Sequence, residues 1–361
     1  MKTIVLTGGG TGGHVIPNIS LLPHLRKHFD RICYIGGSGI EKDLISRQKD
    51  VEYFEVPTCK FVRQNIFKNI LLPFKVITSS LKCKKILKEI SPQVVFSKGG
   101  YVAVPVCIGA KFQKIPIIGH ESDLTLGLAN KCIAKMSKTF CTTSPATAKG
   151  LKNGVFTGSP IREQLFHGNK QKGLAITSLP PSSKPFILVT GGSTGAKDLN
   201  DVIFSSVPVL CSKYNVIHLV GKGKLNPAIK HPNYFQSEFC FEIEHLFALA
   251  DIVVSRSGSG AICELLALKK PMILVPLPKG NSRGDQVENA EYFKSLNFAS
   301  VIQQKDLTQQ SLISEIEKTL HNTPAIASAM GNETASTLTH GTENIVQQIL
   351  KITSPKSINK R

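Results

Sequence analysis

Ile4-Val5-Leu6-Thr7-Gly8-Gly9-Gly10-Thr11-Gly12-Gly13 and Ile187-Leu188-Val189-Thr190-Gly191-Gly192-Ser193-Thr194-Gly195-Ala196 are two versions of one pattern. Each reads as an apolar, β-branched strand that runs into glycines and then opens a helix. Such a turn aims backbone N–H groups and the positive end of a helix at one point, which suits a phosphate. Two of them predict two α/β domains, each a doubly wound parallel sheet, in an enzyme that grips a nucleotide between its halves.

A second echo supports the duplication. Val94-Val95-Phe96-Ser97-Lys98-Gly99-Gly100 precedes a helical stretch and then Lys114-Ile115-Pro116-Ile117-Ile118. Ile252-Val253-Val254-Ser255-Arg256-Ser257-Gly258 likewise leads, through a helix, to Lys270-Pro271-Met272-Ile273-Leu274-Val275. Both read as strand, small-residue turn with a cation, helix, buried strand. Further strands are expected at 2–7, 31–35, 93–97 and 115–119, with helices near 16–28, 124–136 and 342–352. The pattern pauses at Ser159-Pro160-Ile161-Arg162, and Ser178-Leu179-Pro180-Pro181-Ser182-Ser183-Lys184-Pro185 reads as a loop. The expected domains are therefore 1–162 and 163–340, with a linker reaching toward 184 and a final helix and basic tail over 341–361.

The chain has 361 residues, 41% hydrophobic and 19% charged, a globular composition with room for two cores. Its basic excess is lopsided: residues 1–162 hold 24 basic and 9 acidic side chains, the remainder 20 and 16. The first half thus expects an anionic partner. Nucleic acid fits poorly, since aromatics are 7% and Trp is absent, leaving no stacking platform. Nine cysteines without paired spacing read as reduced thiols. Met1-Lys2 leads straight into a strand, so no signal peptide is expected, and no stretch is long and apolar enough to span a bilayer.

Gly8-x-Gly10-x-x-Gly13 fits the dinucleotide fingerprint formally, but that fingerprint needs an acid at the end of the second strand. That strand ends in Ile35-Gly36-Gly37-Ser38-Gly39, and Glu41 lies beyond the turn. A dinucleotide oxidoreductase is accordingly a minor alternative. More specific is a set of motifs in fixed order. It comprises Gly9-Gly10-Thr11-Gly12-Gly13-His14, His120-Glu121, Gly127-Leu128-Ala129-Asn130-Lys131 and Ser159-Pro160-Ile161-Arg162. Gly191-Gly192-Ser193-x-Gly195-Ala196, Arg256-Ser257-Gly258 with Glu264, and Gln286 with Asn289-Ala290 complete it. This set resembles the MurG family, peptidoglycan N-acetylglucosaminyltransferases acting on undecaprenyl-diphosphate-linked muramyl-pentapeptide. The chain departs from the family pattern at Ser122-Asp123, Thr194 and Asp285.

The resemblance implies the GT-B architecture, two Rossmann-like domains with a cleft between them and a C-terminal helix packing back on the first. It implies an inverting transfer of N-acetylglucosamine from UDP-N-acetylglucosamine in cell-wall synthesis, with other cell-wall synthesis proteins as further partners. The donor would meet Thr11, Gly12, Gly13, Asp123, Arg162, Ser193, Cys240 and Arg256. Ser257, Gly258, Ser259, Glu264 and Gln286 would complete its site, with Glu264 on the ribose and the segment Phe239-Cys240 reading uracil. No cofactor is implied, and the chain has no Asp-x-Asp metal motif. His14, at the tip of the first turn, is the candidate base, because imidazole titrates near working pH. His120 and Glu121 are rivals, and Lys98, Tyr101 and Asn130 would serve the acceptor. A related lipid-directed UDP-sugar transferase is the alternative within enzymes.

Between 56 and 88 the chain holds Lys60, Arg63, Lys68, Lys75, Lys82, Lys84, Lys85 and Lys88 and no acid. A helix from Pro73 to about 90 would bury Val76, Ser80, Cys83, Leu87 and Ile90. It would leave Phe74, Ile77 and Leu81 beside Lys84, Lys85 and Lys88, with Ile66-Phe67 and Ile70-Leu71-Leu72 extending that stripe. A core helix needs one apolar stripe. The second suits an anionic membrane surface and a peripheral place on the cytoplasmic face of the cell membrane.

Overall fold

A computed structural model describes residues 1–58, 71–192, 195–280 and 284–354. Ser193 and Thr194, the basic and apolar residues from Lys60 to Ile70, and the tail from Lys356 lie outside the described residues. The chain forms two compact units, Met1–Ile161 with the segment from His340 on, and Arg162–Thr339.

In the first unit the strands are β1 (Thr3–Thr7), β2 (Arg31–Gly36), β3 (Val51–Glu55), β4 (Val94–Ser97), β5 (Ile117–Glu121), β6 (Thr139–Thr142) and β7 (Gly154–Phe156). They pair in parallel in the order β3-β2-β1-β4-β5-β6-β7. The second unit holds β8 (Phe186–Thr190), β9 (Asn215–Leu219), β10 (Tyr234–Ser237), β11 (Ile252–Ser255), β12 (Met272–Leu274) and β13 (Ser300–Val301). Their order, β10-β9-β8-β11-β12-β13, repeats that of the first sheet, again all parallel. In each sheet the order reverses beside the first strand, between β1 and β4 or between β8 and β11. Those are the strands of the two sequence echoes, so both echoes deliver their turns to a topological switch point, where open α/β sheets bind ligands.

The sheets are buried on both faces, which is why their strands are continuous apolar runs. On one face of the first sheet, Val15, Leu21, Leu22 and Leu25 of the helix Gly12–Leu25 pack with Ile4, Leu6, Tyr34 and Phe96. Ile345, Val346 and Ile349 of the helix Gly341–Thr353 join that cluster, so the C-terminal helix belongs to the first unit. Thr342 Oγ1 accepts the Ile161 N–H at 2.9 Å, and Asn344 Nδ2 donates to the Thr157 carbonyl at 3.0 Å. The other face takes Cys83, Leu87 and Ile90 of the helix Leu72–Ile90 and Val106, Cys107 and Ala110 of the helix Ala103–Phe112. In the second unit Leu199, Ile203, Val207 and Leu210 of the helix Lys197–Lys213 face Val189, Val216 and Val254.

The sequence reading needs correction after Arg162. The expected linker is structured as far as Thr177: a 3-10 turn, Glu163–His167, then the helix Lys170–Thr177. Two glycines let this stretch seat on the helix Ile243–Leu249. A Cβ on Gly168 would collide with the Glu244 carbonyl, and one on Gly173 would lie 2.5 Å from that of His245. The helix expected from 124 begins at Leu128, because residues 122–127 form a loop around Glu121. Val76, assigned to the core, is half-buried.

Gly341 is placed so that any Cβ would strike the backbone of Ser159. Gly341→Ala should therefore destabilise the first unit by about 1–3 kcal/mol, as overpacking against backbone does. Thermal denaturation beside Gly150→Ala, whose Cβ would meet its neighbours at an ordinary 3.6 Å, checks this. Equal melting of the two variants would contradict the packing described.

Candidate active site

The first glycine turn is built by close backbone approach. Gly10 has φ of +85°, which an L side chain resists, and a Cβ there would lie 2.5 Å from the Tyr101 ring. Gly99 and Gly100, after β4, are also left-handed, at +91° and +82°. A Cβ on Gly100 would collide with the Gly9 carbonyl and lie 3.2 Å from His14 Nδ1. The two turns at this switch point are thus locked together. His14, half-buried at the tip, has its Nδ1 3.0 Å from Thr11 Oγ1.

His14, Lys98, Tyr101, His120, Glu121, Asp123 and Asn130 all gather at the carboxyl edges of β1, β4 and β5. Their environments differ. Lys98 is 2% exposed, and its ammonium donates to Ser122 Oγ at 2.7 Å; that hydroxyl lies 3.1 Å from Ser159 Oγ. His120 is fully buried and donates from Nε2 to the Gly158 carbonyl at 2.8 Å. Burial, with the Lys98 charge adding to it, pushes this imidazole well below its ordinary pKa. It is neutral and sealed, and does not serve as a base. Glu121 accepts from Asp123 N–H on one oxygen, and from Gly127 N–H and Asn130 Nδ2 on the other. These three bonds clasp the loop of residues 122–127 around Glu121. Of the three catalytic candidates, His14 alone retains exposure beyond a few percent.

In the second unit Gly191 and Gly195 are closely packed, and three other glycines have no described residue over them. Gly192 has φ of +81°, and a Cβ on Gly192, Gly258 or Gly260 would meet nothing within 4 Å. Gly258 caps the helix Ser259–Ala267, whose N-terminus follows β11 directly. Ser257 Oγ donates to the Gln286 carbonyl at 2.8 Å, and Asn289 Nδ2 to the Ser257 carbonyl at 3.2 Å. The Gln286 side-chain oxygen accepts the Leu277 N–H at 3.0 Å, and Arg256 donates to the Val275 carbonyl at 3.1 Å. Burial lowers the Arg256 pKa. Arg162 and Glu264 form a bidentate pair at 2.6 and 2.7 Å. Burial works against the Arg162 charge, but the Glu264 carboxylate overrides it and raises the guanidinium above its ordinary pKa. Cys240 is half-buried between exposed Phe239 and Phe241, whose rings meet edge to face at 5.0 Å.

Sequence reasoning passed over two groups. Glu41 is buried and its Oε2 accepts the Gly10 N–H at 3.1 Å. The signal for it was present, an acid just past a glycine run at the end of the second strand. The other is the chain Tyr234–His218–Asn200, with contacts of 2.9 and 3.1 Å, ending where Asn200 Nδ2 donates to the Val220 carbonyl. That carbonyl is the one on which left-handed Gly195 packs, so the network braces the second turn. Burial pushes the His218 pKa down to about 3, leaving it a neutral strut. On the helix Leu72–Ile90, Phe74, Ile77 and Leu81 are 67%, 57% and 56% exposed, and Lys84, Lys85 and Lys88 are exposed beside them. Lys84 Nζ lies 5.9 Å from the centre of the Phe112 ring, itself exposed.

Twin sheets of this order with glycine turns at both switch points form the two-domain α/β architecture of GT-B proteins, and family models identify the class as a glycosyltransferase. Residues 4–142 match the glycosyltransferase family 28 N-terminal domain, and residues 186–354 its C-terminal domain. A Lachnoclostridium phytofermentans protein is 46% identical over 92% of this chain and 94% of its own length. One from Clostridium tetani is 42% identical over 99% of both. Each is named UDP-N-acetylglucosamine–N-acetylmuramyl-(pentapeptide) pyrophosphoryl-undecaprenol N-acetylglucosamine transferase. The crystal structure of Acinetobacter baumannii MurG superposes with a TM-score of 0.74 at 22% identity, over 97% of this chain and 100% of that one. The calicheamicin glycosyltransferase CalG4 does so with 0.71 at 14%, over 99% of both. These two likenesses speak to the GT-B fold. The chain belongs to the MurG family of glycosyltransferases.

The Arg162–Glu264 pair yields a direct test. Removing one partner strands the other, largely buried, charge, whereas removing both does not. Glu264→Ala should destabilise the fold more than the double variant Arg162→Ala/Glu264→Ala, with a coupling of roughly 1–3 kcal/mol in a double-mutant cycle. Additive effects in urea denaturation would show the pair to be energetically idle.

Proposed function

We infer that this chain transfers N-acetylglucosamine from UDP-N-acetylglucosamine to undecaprenyl-diphosphate-linked muramyl-pentapeptide, as its relatives are named to do. The observation that carries the reading is the open backbone at Gly192, Gly258 and Gly260, on the carboxyl edges of β8 and β11, beside a helix N-terminus. That arrangement takes a diphosphate through N–H groups and the helix dipole. Glu264, in the second turn of the same helix, takes the ribose hydroxyls, and Gln286 the sugar. Arg162 serves the ribose through Glu264, which it orients.

In the reaction, a muramyl hydroxyl oxygen forms a bond to the anomeric carbon while the bond from that carbon to the UDP oxygen breaks, inverting configuration. The hydroxyl proton passes to the His14 imidazole, whose Nδ1 lies 3.0 Å from Thr11 Oγ1. The charge arriving on UDP is met by the N–H groups of the second unit's turns and by Arg256. A thermal-shift panel tests the donor assignment. UDP and UDP-N-acetylglucosamine should raise the melting temperature, while NAD and ADP should not. Stabilisation by NAD without UDP would overturn the reading.

The helix Leu72–Ile90 supports a peripheral place on an anionic membrane, where the lipid-linked acceptor lies. No helix among the described residues is long and apolar enough to cross a membrane. Phe74, Ile77 and Leu81 dip among headgroups while each lysine adds at most about 1 kcal/mol. Sedimentation should show binding to anionic but not neutral vesicles, weakened by salt and reduced in a Phe74→Ser/Ile77→Ser/Leu81→Ser variant. A variant that pellets as well as the parent would remove this face from the contact.

A further inference from the structure

Asn18 stands one turn after His14 on the helix Gly12–Leu25 and is fully buried. Val15, Leu21, Leu22 and Leu25 of the same helix fill the core, so the apolar stripe is broken here by an amide that is also a poor helix former. Its contacts account for the exception. Nδ2 lies 3.2 Å from the Thr7 carbonyl oxygen, 3.3 Å from that of His14 and 3.2 Å from Tyr34 Oη. Tyr34 in turn donates to the Gly8 carbonyl at 2.7 Å, and burial pushes its phenol far above the ordinary pKa, so it keeps that proton. All three neighbours of Nδ2 therefore accept, which fixes the amide with its nitrogen toward them. Oδ1 faces the other way, buried, with no hydrogen-bond partner among the described residues. An orphaned acceptor costs stability, and folding alone does not call for it.

Thr7 and His14 are the two ends of the first glycine turn. Of the residues between them, Gly8-Gly9-Gly10-Thr11-Gly12-Gly13, all but Thr11 lack a side chain, so the turn has little of its own to hold one conformation. A Cβ on Gly8 would lie 2.7 Å from the His14 carbonyl oxygen and 3.1 Å from Asn18 Nδ2, so glycine is what lets both approach. We propose that Asn18 is a positioning residue for the transfer: it staples the two ends of the first glycine turn and so sets where the His14 imidazole stands. This role rests on the reading of His14 as the group that receives the hydroxyl proton. The Thr7 carbonyl also accepts the Lys98 N–H at 2.9 Å, so the end of β1 stays bonded without Asn18. What depends on Asn18 is the spacing between strand end and helix start. A displacement of about 1 Å at a reacting group is enough to cost turnover.

Steady-state kinetics, melting and amide exchange of the full chain test this in a cycle of Asn18→Ala, His14→Ala and the double variant. Asn18→Ala removes the donor and the orphaned acceptor together and places the best helix former at a helix interior. It should melt close to the parent while kcat falls about tenfold or more, with the donor KM unchanged. In the His14→Ala background the same substitution should change turnover by no more than about twofold, because the group it positions is gone. Unchanged kcat, a loss of turnover matched by a loss of melting temperature, or equal fold losses in both backgrounds overturns the proposal. Full turnover in His14→Ala overturns the base reading instead. Exchange of the amides from Gly9 to His14 then decides the staple alone: about tenfold faster in Asn18→Ala if Asn18 holds the turn, unchanged if it does not. Should Asn18→Ala not fold, Tyr34→Phe, which frees the Gly8 carbonyl and keeps the ring, takes its place in the cycle with the same outcomes.

Discussion

The approach of Gly100 to the Gly9 carbonyl is the constraint on which the first unit's site depends. With a side chain at Gly100 the turns after β1 and β4 separate, because its Cβ would meet the Gly9 carbonyl and no rotamer can relieve a contact with backbone. From that contact follow the seat of His14, the placement of the Tyr101 ring over Gly10, and the line along which Lys98 runs back into the protein toward Ser122. Buried Lys98 and His120 belong to the same construction. Burial keeps the His120 imidazole neutral and the nearby Lys98 ammonium adds to that effect, and a neutral imidazole can donate to the Gly158 carbonyl without adding a second cation.

The two sheets share one topology, and the glycines at their switch points serve two purposes. In the first, glycines serve the protein's own groups: Tyr101, Glu41 and Asn130 occupy the space that missing Cβ atoms leave at Gly10, Gly9 and Gly99. In the second, Gly191 and Gly195 pack in the same way against Ala196 and the Val220 carbonyl, whereas over the glycines at 192, 258 and 260 no described residue stands. Glycine in a switch-point turn therefore has two distinct physical meanings, close self-packing and access for a ligand.

This distinction also marks what was legible in the sequence. Strand-to-glycine-to-helix periodicity is local, so both turns, both switch-point strand pairs and the helix ending at Ile90 could be read directly. The exposed stripe of Phe74, Ile77 and Leu81 followed from helical spacing for the same reason. Helix starts slid by several residues where side chains rather than periodicity set the boundary, as with the Glu121 clasp on residues 122–127. The stretch after Arg162 looked like a linker because its packing depends on Gly168 and Gly173 meeting the carbonyls of Glu244 and His245, far away in sequence. Burial is also non-local. Nothing in the string His120-Glu121 says that the imidazole is sealed and the carboxylate saturated, and nothing around Glu41 says that it bends back beneath Gly10.

The Arg162–Glu264 pair shows how a nonlocal contact can change the meaning of two residues without moving either from the site. Taken singly, an arginine suggests a phosphate ligand and a helical glutamate suggests a solvated carboxylate. Held bidentate, the guanidinium takes one lone pair from each carboxylate oxygen and fixes the plane of the group. Each oxygen retains a second lone pair, and the two point in directions that rotation can no longer blur. Under the donor reading one of those directions is the one that a ribose hydroxyl meets. The cost of ordering the glutamate is met during folding, when the pair forms, rather than when the nucleotide arrives. Arg162 thereby favours the ribose end of the ligand by holding its acceptor still, and its own charge, compensated by Glu264, is less available to a phosphate.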